Sequence, residues 1–105
     1  MSIVLHRLRN GLIYSQDFAD YLASKHSSEA IGHPGEVIHL DYVRCSQGDL
    51  SGQEWCQLTW ISGAQAATEH RHPIGGTEIY IHKQALRGLK NRLLHFDGTN
   101  VIVKQ

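Results

Sequence analysis

The chain has 105 residues, enough for one domain (1-105) with a real core but little surplus stability. Lys plus Arg and Asp plus Glu each number 10, so no net field draws it to nucleic acid, a membrane surface or an acidic substrate. No targeting segment and no bilayer-length apolar run is read in it, so a soluble, cytoplasmic protein is expected. Histidine is over-used, with 8 residues, and histidine is both the commonest metal ligand and the side chain that titrates near neutrality.

In chain order, Ser2–Leu8 alternates apolar and polar residues and runs into Asn10-Gly11, a hairpin signal. Leu12–Tyr14 is the return strand or the lead into the next element. Ser15 then offers an N-cap, and Phe18, Tyr21 and Leu22 fall at helical spacing, with Asp17 and Asp20 early and Lys25 and His26 late. This predicts one short amphipathic helix over 16–26, its apolar stripe serving as packing. Residues 27–35 read as loop, and His33 within it is discounted as a ligand.

Residues 36–45 alternate over a long run. Val37, His39, Asp41 and Val43 share one face, and Ile38, Leu40, Tyr42 and Arg44 share the other. Residues 46–52 form a hairpin loop, and 53–62 the partner strand, with Trp55 and Thr59 opposite in phase to Cys56, Leu58 and Trp60. Cys45 and Cys56 flank that loop, too few for a disulfide scaffold, and both are read as reduced, half-buried thiols. Residues 63–68 connect to the segment that carries most of the chemistry.

That segment is Glu69-His70-Arg71-His72-Pro73-Ile74-Gly75-Gly76-Thr77-Glu78-Ile79-Tyr80-Ile81-His82. Residues i and i+2 of a strand point to one face, so His70 and His72 can aim both rings at one point. A Gly-Gly turn can fold a carboxylate back beside them. Two imidazoles and a carboxylate are a usual half-shell for zinc, iron, manganese or nickel; an exposed polar loop is the plain alternative. After it, Leu86, Leu89 and Leu93 are spaced like a helix face, while Leu86-Arg87 and Leu93-Leu94 around Asn91 suit a hairpin, and the hairpin is favoured. Arg87, Lys90 and Arg92 read as solvated surface.

The run Gly63–Ile81, with its His-x-His, Gly-Gly turn and following Glu, resembles the first signature of the cupin superfamily. It is similar in particular to cupin domains of metal-binding anti-sigma factors. The resemblance implies a mainly β fold, a small double-sheet β-barrel of jelly-roll type, here with one N-terminal helix. It implies a divalent transition metal (Zn, Fe, Mn or Ni) held by His70, His72 and Glu78. An extra Ile74 in the turn leaves either Glu78 or Thr77 facing the site. His39, Trp60, Tyr80 and His82 are candidates for a ligand pocket.

The second cupin signature supplies a fourth histidine; here Asp97-Gly98-Thr99-Asn100-Val101-Ile102-Val103 matches only its opening. A cupin barrel that lacks the strand beyond it has an unpaired edge, so a homodimer through exposed or exchanged strands is expected. The first functional expectation is a small metal- or small-ligand-binding module without clear catalytic machinery. A cupin metalloenzyme of dioxygenase or isomerase type and a metal-free dimeric interaction protein are the alternatives.

Overall fold

The computed structural model describes residues 4–9, 11–44, 48 and 54–104. The chain runs β1 (Leu5–Arg7), β2 (Ile13–Ser15), α1 (Gln16–Glu29), a 3-10 turn (Ala30–Gly32), β3 (Glu36–Arg44), β4 (Glu54–Ser62) and α2 (Gly63–Ala66). It continues with β5 (His70–Ile74), β6 (Thr77–Ile81), α3 (Lys83–Leu89), β7 (Leu93–Phe96) and β8 (Val101–Lys104). Two four-stranded sheets result, in the orders β1-β2-β7-β8 and β4-β3-β6-β5.

The mainly β expectation holds, but the described residues close no barrel. β2 pairs in parallel with β7, and β3 in parallel with β6, whereas jelly rolls are built from antiparallel strands. The reason lies in the helices. α1 packs on β2 and β7 of one sheet and on β6 of the other, and Phe18 and Leu22 are fully buried in a cluster with Tyr14, Leu40, Ile79, Ile81 and Leu94. A helix between the sheets occupies the interior that a barrel would enclose. No helix among the described residues is long and apolar enough to cross a membrane.

α1 starts where its cap residue predicts. The Ser15 hydroxyl accepts the Phe18 N–H at 3.1 Å, and the helix continues one turn beyond the expected 26, to Glu29. The same hydroxyl lies 2.7 Å from His95 Nδ1, which ties the start of α1 to β7. β3 and β4 pair in antiparallel register from Glu36↔Ser62 to Arg44↔Glu54, with Ile38 and Leu40 buried as the alternation requires. Asn10, Cys45 and most of the expected hairpin loop at 46–52 lie outside the described residues.

Residues 83–94 are not a hairpin. They open as α3, capped by His82, whose Nδ1 accepts the Gln84 N–H at 3.2 Å. Asn91, at φ 61°, ends the turn in the left-handed region, and only then does β7 begin. Leu89 is fully buried, so the helical spacing of the leucines prevails over the paired-strand reading. Arg92, read as surface, is instead drawn in: its guanidinium binds the Glu54 carboxylate in a bidentate pair, with Nη2 2.6 Å from Oε2. The Tyr42 hydroxyl donates to the same carboxylate at 2.6 Å. The Arg92 bond, followed by the Tyr42 bond against the opposing effect of burial, holds the Glu54 carboxyl down at about 2.

Sheet edges are β1, β8, β4 and β5. β5 carries Pro73, which has no N–H to offer an incoming strand, as is usual for prolines in sheets.

Gly88 tests the packing of α3. A Cβ built there would sit 2.7 Å from Tyr42 Cε2, and that ring is held by Glu54 and Arg92. Helix propensity alone favours alanine over glycine by about 1 kcal/mol. Overpacking costs about 1–3 kcal/mol and prevails, so Gly88→Ala is expected to lower stability in urea denaturation; a gain would mean that the ring yields freely.

Candidate functional site

The phase of β6 decides the fate of the expected metal shell. Thr77, Ile79 and Ile81 are buried, so Glu78 points to the opposite, outer face. There its carboxylate is 3.7 Å from Arg71 Nε, and both side chains are largely exposed. On β5, His72 and Ile74 are buried on the inner face, and His70 shares that face at the strand's exposed end. The two rings lie nearly parallel, with centroids 6.5 Å apart. The paired imidazoles therefore stand together as the spacing predicts, but the acid does not join them. Thr77, the other candidate, takes the inward position and brings a hydroxyl rather than a carboxylate.

This corrects the reading of Glu78, and its cause is apolar. Turning Glu78 inward would turn Ile79 and Ile81 out, and both are fully buried. Among the described residues no group of three or more His, Cys, Asp or Glu side chains is placed to hold a metal ion.

The four expected pocket residues also separate. Trp60 lies on the core side, stacked on His33 at 4.6 Å and donating its indole N–H to Glu29 Oε1 at 3.1 Å. His39 and Tyr80 are neighbours across the parallel β3–β6 pair, on the outer face with Glu78. His82 begins α3. His39 and His82 line one small hollow beside β3, whereas Trp60 packs against the core and Tyr80 lines a different hollow, so no single pocket collects all four.

A different hollow, of about 530 Å³, opens between the first turns of α1 and the end of β7. Tyr21 and Phe96 form its aromatic wall, with ring centroids 3.9 Å apart and planes within 7°. Asp17, Asp20 and Asp97 supply carboxylates, and no Lys or Arg among the described residues lines it. The first two project from α1 beside the cap. Asp97 accepts the N–H groups of Thr99 and Asn100 on Oδ1, at 2.8 and 2.7 Å. The Asn100 N–H, then the Thr99 N–H, lowers its pKa below the ordinary value, so it is an anion at neutral pH. His95, 8% exposed, backs the hollow with its Nδ1 bonded to Ser15.

Sequence reading misses this site because its halves lie at opposite ends of the chain. Asp17 and Asp20 already have a sufficient role with the helix dipole, and Phe96 has no partner until the parallel β2–β7 pairing brings it beside α1. The Ser15–His95 pair has the composition of a nucleophile and its base. Ser15, however, is fully buried and its oxygen already caps α1, so the pair acts as a structural tie. Cys56 is half-buried, and burial pushes its thiol up to about 12, which keeps it an unreactive thiol at neutral pH.

No family model matches the chain, and neither a curated protein nor a solved structure matches it.

His72 gives the paired imidazoles a measurable signature. Burial, and secondarily the charge of His70, lowers its pKa below 6.5. The unfolded chain therefore takes up this proton first, and the related stability is complete above about pH 6.5 and declines as the pH falls toward the folded value. Ring NMR should show a His72 midpoint below 6.5, and His72→Gln should flatten the fall in urea midpoint between about pH 7 and 5. A His72 midpoint above that of a free imidazole would contradict the placement.

Proposed function

We propose that this protein is a small binding module whose ligand is an organic cation seated in the hollow between α1 and β7. The observation that carries the reading is the stacked Tyr21–Phe96 wall edged by the carboxylates of Asp17, Asp20 and Asp97. Aromatic faces attract cations, by about 0.5–1 kcal/mol at exposed sites. Carboxylates give charge-assisted hydrogen bonds to ammonium or guanidinium groups. A volume of about 530 Å³ suits a ligand of a few to a few tens of heavy atoms, and ligand sites typically span about 300–1,000 Å³.

Asp97 is anchored by its own turn and Asp20 Oδ1 accepts from Gln16 at 2.9 Å, so two of the three carboxylates are held before a ligand arrives. Such preorganisation reduces the ordering cost of binding. The hydroxyl bonded to a base, Ser15, is sealed in the core, and the arrangement accordingly fits capture rather than turnover. This keeps the small-ligand module expected from the sequence, with its site moved from the histidine stretch to the α1–β7 end.

Agmatine, which carries an ammonium and a guanidinium group, is a suitable probe. Titration followed by NMR should give saturable shifts at Tyr21 and Phe96. Phe96→Leu or Asp17→Asn should each weaken binding by about 2- to 5-fold, and added salt should weaken it further. Equal binding of an uncharged analogue, or shifts that never saturate, would overturn the reading.

A further inference from the structure

The turn between β1 and β2 meets the outer edge of β5 at another hollow, of about 390 Å³, lined by Leu8, Arg9, Arg71, His72 and Pro73. β5 ends its sheet. Arg71 and Pro73 belong to its exposed face and His72 to its buried one, so the hollow follows the edge of the strand rather than either face. A further strand is a poor occupant of that edge, because Pro73 has no N–H to complete a ladder.

Both halves of the hollow are set by the backbone. The Leu8 N–H donates to the Leu12 carbonyl at 2.8 Å, and the Gly11 N–H donates to the Leu8 carbonyl at 3.0 Å. Gly11 closes this turn at φ 93°, in the region that favours glycine. Leu8 packs against the core, which seats the turn and carries Arg9 to the rim. Arg71 is placed opposite by the β5–β6 register, Arg71↔Tyr80.

The charge of the hollow is one-sided. Arg9 and Arg71 are both exposed, and no acid among the described residues lines it. Burial lowers the pKa of His72, so at neutral pH that ring adds no charge. The Glu78 carboxylate is 3.7 Å from Arg71 Nε, beyond hydrogen-bond length, which leaves the Nη groups for another acceptor. Two guanidinium groups on one hollow repel each other, and an anion seated with them offsets that repulsion. Guanidinium is weakly hydrated and its planar fork matches a carboxylate. Leu8 and Pro73 add apolar surface on which a hydrocarbon body can be buried.

We infer that this hollow binds a small organic carboxylate, its charged end held by Arg9 and Arg71 and its apolar body laid against Leu8 and Pro73. The volume falls within the range of about 300–1,000 Å³ usual for ligand sites, and a bare inorganic anion would leave most of it to water. No residue is shared with the α1–β7 hollow, whose proposed ligand has the opposite charge, so either site can fail alone.

NMR titration of the untagged full chain with phenylacetate tests this. Saturable shifts are expected at the His72 ring and the Leu8 methyl groups, with Tyr21 and Phe96 unmoved. Arg9→Gln and Arg71→Gln should each weaken binding by about 2- to 5-fold, as the loss of an exposed ion pair does. Together they should weaken it by about 4- to 25-fold. Glu78→Gln removes the acid that competes for Arg71 and should tighten binding by about 2-fold, a gain that a damaged fold cannot give. Phenylacetamide, which has the same shape without the charge, should lose as much affinity as the double variant does. Equal affinity for phenylacetamide, or unchanged affinity in the double variant, would overturn the assignment of a carboxylate. Inorganic phosphate bound as tightly as phenylacetate would overturn the assignment of an apolar body.

Discussion

Burial of Ile79 and Ile81 is the constraint on which the rest of the structure depends. Both are fully sequestered between the second sheet and α1, and burying two such side chains favours one phase of β6 by about 3–6 kcal/mol. The alternating geometry of a strand then leaves no freedom. Thr77 must face in, and Glu78, Tyr80 and the start of α3 at His82 must follow the other face. The chemistry of each face is a consequence of apolar packing, and among the described residues no acid joins the paired imidazoles on β5.

The two faces of that sheet consequently differ in kind. Inside, Ile38, Leu40, Ile74, Ile79 and Ile81 meet Phe18 and Leu22, and His72 is buried beside the His70 ring with its pKa depressed, chiefly by that burial. Outside, β3 and β6 present His39, Asp41, Glu78 and Tyr80, with Glu69 brought over them by α2. The same parallel register, His39↔Tyr80 beside Leu40↔Ile81, sets one residue of each pair into the core and its neighbour into the polar layer. The first sheet meets this body through α1, whose cap residue Ser15 is bonded to His95 of β7, and directly where β8 lies against β4.

What was legible in the sequence was whatever depends on nearby residues. Ser15 as a cap, the helix after it, and the paired strands Glu36–Arg44 and Glu54–Ser62 follow from spacing alone. The phase of β6 did not, because Ile74 and Gly75-Gly76 permit either face to lead, and only the facing α1 decides. Local spacing leaves α3 in competition with a hairpin, because Gly88 weakens a helix. The deciding contact, Tyr42 packed where a side chain at 88 would stand, comes from a strand far earlier in the chain. Arg92 meets Glu54, Tyr21 meets Phe96, and His39 meets Glu69 for the same reason: each pair is assembled by topology. The resemblance to cupins rested on one contiguous segment and carried no information about the parallel pairings.

The phase of β6 is tested most directly by comparing Ile79→Ala with Glu78→Ala in urea denaturation. The account predicts a loss of about 2–5 kcal/mol for Ile79→Ala and a change within about 0.5 kcal/mol for the exposed Glu78→Ala. A large loss at Glu78 together with a negligible one at Ile79 would contradict it, and would return the acid to the side of the histidines.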